Sequence, residues 1–95
     1  MSRFAADYSP RFAAQSDSLP EDIYKKLQKT ILFLLDNPRH PGLRTHKLEG
    51  RKGFFGGDIF EAYVDMQYRL TWEYKGSELI YLRNVDNHDE CLRNP

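Results

Sequence analysis

The residue pattern predicts an α+β fold: an N-terminal strand and two helices packed on one face of a small, mainly antiparallel sheet, in the order β-α-α-β-β-β-β. Two observations carry this expectation. Apolar residues Ile23, Leu27, Ile31, Leu34 and Leu35 recur at helical spacing, and from Asp58 onward apolar and polar residues alternate at period two between turn signals. A chain of 95 residues holds one domain, read as spanning 1–95, with a modest core to stabilise it.

The elements follow in order. Phe4, Ala6 and Tyr8 share a face at period two and mark a first strand, closed by Ser9-Pro10. Serine caps a helix and proline suits its first position, so a short helix is expected from Pro10 to about Gln15, broken by Ser16-Asp17-Ser18. Ser18-Leu19-Pro20-Glu21 reads as a capping box that opens the longest helix, expected to end near Asp36, with Lys25, Lys26, Gln28 and Lys29 on its outer side. Asn37-Pro38 and Pro41-Gly42 stop that helix and turn the chain. A brief strand around Thr45 to Leu48 comes next, then a loop in which Gly50, Gly53, Gly56 and Gly57 flank Phe54 and Phe55. Phe60, Ala62 and Val64 alternate with Glu61, Tyr63 and Asp65, and Tyr68, Leu70, Trp72 and Tyr74 alternate with Gln67, Arg69, Thr71 and Glu73. Each of these strands should therefore have one apolar and one wet face. After the turn Lys75-Gly76-Ser77, Leu79 to Val85 carries apolar residues on both sides, as a more central strand does. The tail from Asp86 reads as short and polar.

Composition narrows the function. With 40% hydrophobic and 29% charged residues the chain is too apolar to be disordered. The apolar run Ile31 to Leu35 is too short to span a membrane, and Arg3 and Asp7 interrupt any leader, so a cytoplasmic protein with no membrane partner is expected. The lone Cys91 allows no internal disulfide, in keeping with a reducing compartment, and reads as a packed thiol. Net charge is zero, but its distribution is uneven: residues 39–52 hold five basic and one acidic side chain, and residues 53–95 hold four basic and eight acidic. Arg39, Arg44, Lys47, Arg51 and Lys52, with His40 and His46, form either a phosphate-binding surface or a solvated loop. His40, His46, His88 and Asp89 lack metal-ligand spacing and no phosphate-cradling glycine motif is present, so neither a metal nor a cofactor is expected.

Several strings, in order, resemble the RelE/ParE toxin family: Ser9-Pro10-Arg11-Phe12, Leu35-Asp36-Asn37-Pro38-Arg39-His40-Pro41-Gly42-Leu43, His46-Lys47-Leu48-Glu49-Gly50, Phe60-Glu61-Ala62-Tyr63-Val64-Asp65 leading to Tyr68-Arg69-Leu70, and Val85-Asp86-Asn87-His88-Asp89-Glu90. Together they span nearly the whole chain. The resemblance implies a RelE-like fold and a type II toxin neutralised by a separate antitoxin. In the RelE-like branch such a toxin is an endoribonuclease that cuts mRNA on the ribosome without a metal, by attack of the 2′-hydroxyl on the neighbouring phosphate, and so inhibits translation. Other members that look alike inhibit DNA gyrase, or bind an antitoxin as non-catalytic partners or co-repressors, and both remain alternatives.

That phosphoryl transfer needs a group to take the 2′ proton, a group to protonate the leaving 5′ oxygen, and positive charge beside the phosphorane. The resemblance places Arg69 at the scissile phosphate; a salt bridge to Glu61 or Glu73 is the alternative. His88 stands where RelE-like members carry a histidine or tyrosine as acid or base, or else closes the sheet by a hydrogen bond. Lys47, His46 and Arg44 fall on or beside the strand that contributes lysines to the phosphate site, and Arg51 and Lys52 extend the stripe, with antitoxin docking as the other use. The catalytic candidates are thus Arg69, His88 and Lys47. The RNA- or phosphate-binding candidates are Arg44, His46, Arg51, Lys52 and Tyr63. Tyr63 replaces an arginine common in the family and offers a ring to stack on a base instead; Phe54 and Phe55 either join it or pack into the core.

Overall fold

The computed structural model describes residues 3–95, built around one five-stranded sheet. The elements are β1 (Ala5–Tyr8), α1 (Pro10–Asp17), α2 (Glu21–Asp36), a 3-10 turn (Pro41–Leu43), β2 (His46–Lys52), β3 (Asp58–Tyr63), β4 (Tyr68–Lys75), β5 (Leu79–Asn87) and α3 (His88–Arg93). Strand order is β1-β5-β4-β3-β2, with β1 parallel to β5 and every other pair antiparallel. The expected α+β architecture is observed, and β5 is indeed internal. The helices α1 and α2 pack on one sheet face. There Phe12, Leu27, Leu34, Leu35 and Leu43 meet Ala62, Leu70, Trp72, Ile80, Leu82 and Val85 in a single buried cluster.

Local chemistry explains most boundaries. The Ser9 side chain accepts from the Phe12 N–H at 2.9 Å and donates to the Arg83 carbonyl at 2.7 Å, so one hydroxyl both caps α1 and ties it to β5. The expected capping box at Ser18 does not form. Ser18 instead ends α1, donating to the Ala14 carbonyl at 3.1 Å, and α2 starts from Pro20 with no side-chain cap. The two helices are joined too tightly for one serine to serve both. Glu21 and Asp22 in the first turn of α2 compensate through the helix dipole. Asn37 is extended, as the residue before Pro38 must be, and the 3-10 turn then buries Leu43.

Three features depart from the sequence reading. β2 runs through Gly50, at φ 73°, to Lys52 rather than stopping at Leu48, with irregular pairing between Lys47 and Lys52. The polar tail contains the short helix α3: the Asn87 side chain caps it by accepting from the Glu90 N–H at 3.1 Å, Asp89 and Glu90 lie in its first turn, and Arg93 in its last. The wet face of β4 is also buried. Arg69, Thr71 and Glu73 are 4%, 0% and 0% exposed, because α3, the residues after it and the β2–β3 loop fold over that side of the sheet. A break in register between Thr71 and Trp72 pairs them with Asn84 and Leu82 respectively, leaving Arg83 as an extra residue on β5. This bulge lets the neighbours Arg83 and Asn84 both reach the segment after α3, at the carbonyls of Pro95 (3.0 Å) and Asn94 (3.0 Å). No helix among the described residues is long and apolar enough to cross a membrane.

Candidate functional site

Register across the sheet sets one polar row. His46 on β2 lies opposite Glu61 on β3, Glu61 opposite Thr71 on β4, and Thr71 opposite Asn84 on β5. Directly paired residues share a face, so these four point away from α1 and α2. Glu61 is the centre of the row and has no exposed surface. Three nitrogens converge on its Oε1: His46 Nε2 at 3.3 Å, His88 Nδ1 at 3.6 Å and Arg69 Nε at 3.9 Å. Neither oxygen of Glu61 has a hydrogen-bond partner, nor do Arg69 Nε and His88 Nδ1. An ionised carboxylate in this setting is held by charge alone, and its desolvation is costly unless a positive neighbour stays close.

Each neighbour is positioned by a separate element. The His88 backbone N–H donates to the Gln67 carbonyl at 2.8 Å, fixing the start of α3 beside the β3–β4 turn. His46 Nδ1 lies 3.3 Å from the Arg44 carbonyl. The imidazoles are 48% and 43% exposed for His46 and His88, so the carboxylate sits behind two rings that face solvent. Arg69 is different. Its Nη1 donates to the carbonyls of Asp65 and Met66, both at 2.7 Å, and of Tyr68 at 3.3 Å, and its guanidinium lies 3.5 Å from the Tyr63 ring centre. One arm of its fork, Nη1, is therefore engaged by the β3–β4 turn, and the residue is only 4% exposed.

The structure brings together Arg69, His88 and His46 at Glu61, with Tyr63 and Arg44 adjoining: the Arg44 guanidinium lies 5.3 Å from the Tyr63 ring centre. Tyr63 thus stacks on guanidinium groups rather than standing free for a base. Lys47 pairs with Phe60 and so projects to the opposite sheet face from His46, with its Nζ 3.9 Å from Glu49. Arg51 and Lys52 lie at the far end of β2, roughly 15–20 Å along the strand, and Lys52 is paired with Asp58 at 2.7 Å. The expected single basic stripe is therefore split in two. Sequence reasoning missed Glu61 as the organising residue. Its signal was a lone carboxylate between Ile59 and Tyr63 on one face of a strand. Cys91 is fully buried, with its thiol donating to the Arg69 carbonyl at 3.2 Å, and burial pushes its pKa up to about 12, which makes it a packing residue beneath the site.

No family model and no curated protein matches the sequence. Solved structures do. A chain of the archaeal RelE–RelB complex from Pyrococcus horikoshii is 18% identical, with a TM-score of 0.70 over 90% of this chain and 94% of that one. The YoeB/ParE toxin from Agrobacterium tumefaciens is 12% identical, with a TM-score of 0.72 over 90% and 99%. A chain of the intact RelBE toxin–antitoxin complex from Escherichia coli is 19% identical, with a TM-score of 0.68 over 88% and 95%. The element order and the sheet with helices on one face, matched over nearly the full length of each of these chains, show that this protein has the RelE-like toxin fold.

Proposed function

We propose that this protein is the toxin of a type II toxin–antitoxin pair, held inactive by a cognate antitoxin, and that it acts as a metal-independent, ribosome-dependent mRNA endoribonuclease. The observation that carries the nuclease reading is the convergence of two solvent-facing imidazoles on one buried carboxylate, Glu61. His88 takes the proton from a ribose 2′-hydroxyl as its oxygen attacks the adjacent phosphorus. His46 gives the proton on Nδ1, released from its long 3.3 Å contact with the Arg44 carbonyl, to the 5′ oxygen as the P–O5′ bond breaks, leaving a 2′,3′-cyclic phosphate and a 5′-hydroxyl. Glu61 orients both rings and stabilises whichever is cationic. Arg69 is a positioning residue: it locks the 65–68 turn that seats His88 and lends its charge to Glu61. Arg44, whose guanidinium is exposed beside Tyr63, supplies positive charge near the phosphate in place of Lys47.

Induced expression in a bacterium lacking the antitoxin tests this. Growth arrest with new mRNA 5′ ends at ribosome-bound codons is expected, persisting in extracts treated with a chelator. His88→Ala and His46→Ala should each slow cleavage by about 10²-fold or more. Arrest with intact mRNA and altered DNA supercoiling would replace this reading with gyrase inhibition, and harmless expression would replace it with a non-catalytic antitoxin-binding domain.

A further inference from the structure

We propose that Phe54 and Phe55, at the tip of the β2–β3 hairpin, form a stacking platform for unpaired bases of single-stranded RNA; this rests on the nuclease reading above. Phe54 is 74% exposed and Phe55 45% exposed, so neither packs into the core. Yet the loop that carries them is held tightly. The Glu73 carboxylate, with no exposed surface, accepts from the Phe54 N–H at 3.1 Å and the Phe55 N–H at 3.0 Å and pairs with Arg83. The Gly53 N–H donates to the Gly57 carbonyl at 2.8 Å, and a Cβ on Gly53 would collide with the same carboxylate. Burying a charge to fix a hairpin tip is costly. What it secures is two aromatic rings presented to solvent in one arrangement, which lowers the ordering cost of any ligand that stacks on them.

The chemistry around the rings selects the ligand. The Arg83 guanidinium lies 4.5 Å from the Phe54 ring centre, and the Lys75 ammonium 5.3 Å from Phe55 and 5.9 Å from Tyr81. Tyr81 meets both phenylalanines edge-on, at 6.2 and 5.3 Å. Both cations are paired within the protein, Lys75 with Asp7 at 2.8 Å and Arg83 with Glu73, so the exposed rings offer stacking surface to bases and exposed Arg51 on the adjoining strand offers its charge to a phosphate. An apolar protein partner would have to desolvate Arg51 and the Lys75–Asp7 pair beside the rings, whereas a phosphate backbone meets Arg51 directly. The platform also lies on the catalytic side of the sheet. Glu73 and Thr71 share a face of β4 and Thr71 is opposite Glu61, so the tip and the imidazoles lie on one side of the sheet.

Binding of a labelled, unstructured single-stranded RNA, followed by fluorescence anisotropy in the His88→Ala background so that the RNA stays intact, tests the platform. Phe54→Ala/Phe55→Ala should weaken binding by at least about tenfold with an unchanged melting temperature, and Phe54→Trp/Phe55→Trp should restore it. Equal affinity for the alanine pair, or no binding by the parent, overturns the platform. Phenylalanine-dependent binding together with a wild-type protein that cuts no RNA would leave the platform standing and sink the nuclease reading instead.

Discussion

At the scale of single residues, Glu61 carries the greatest conflict between stability and use. Its oxygens accept no hydrogen bond, yet it is fully buried among two imidazoles and a guanidinium. Glu61→Gln keeps the shape and removes the desolvated charge. It should melt within a few degrees of wild type while cleaving RNA at least about tenfold more slowly, as its imidazoles lose their shared counter-charge. Differential scanning fluorimetry alongside a cleavage assay separates the two effects. Cys91 makes a prediction about pH. Its pKa rises from an ordinary 9.0 to about 12 because burial penalises the thiolate. The unfolded thiol ionises first, so the stabilisation is complete below pH 9.0 and is lost as pH rises from there toward about 12. Denaturant midpoints measured across that range should fall, and Cys91→Ala should make the fall shallower. A thiol reagent at pH 8 should label the native protein slowly and the unfolded protein at once.

At the scale of elements, two short segments control what the sheet presents. The β2–β3 tip depends on Gly53, because a methyl there would strike the Glu73 carboxylate. Gly53→Ala should cost about 1–3 kcal/mol in urea unfolding and should raise proteolysis at the tip as the loop is released. Helix α3 depends on Asn87. Removing its cap with Asn87→Ala should cost about 1 kcal/mol and, because His88 is the first residue of that helix, should lower cleavage more than the stability loss explains. Both elements were within reach of the sequence to different degrees. The Asn87, Asp89, Glu90 and Arg93 pattern is a legible short helix with a cap and matched end charges, overlooked because the segment is polar apart from Cys91 and Leu92. The role of Gly53 was not legible, since nothing local reveals that a carboxylate from β4 lies under it.

At the scale of the whole molecule, the sheet divides its labour. One face meets α1 and α2 in an apolar core, and the other holds Glu61, Arg69, Thr71, Glu73 and Asn84 as buried polar groups beneath thin covering segments. Stability rests on the first face, so Leu34→Ala, at a fully buried position on α2, should cost about 3 kcal/mol and lower the melting temperature by roughly 10–20 °C with little change in cleavage measured well below melting. The identities and order of α1, α2 and the five strands followed from local causes: apolar spacing of 3.6 or 2, prolines that bar helix continuation, and glycines at the turns. Such causes act between near neighbours, so the chain alone determines them. Tertiary structure decided which polar residues lie buried and which meet. Strand alternation assigns Glu61 and Arg69 to one face without specifying what covers that face. Only long-range register sets His46 opposite Glu61 and seats His88 beside it, while sending Lys47 to the other side.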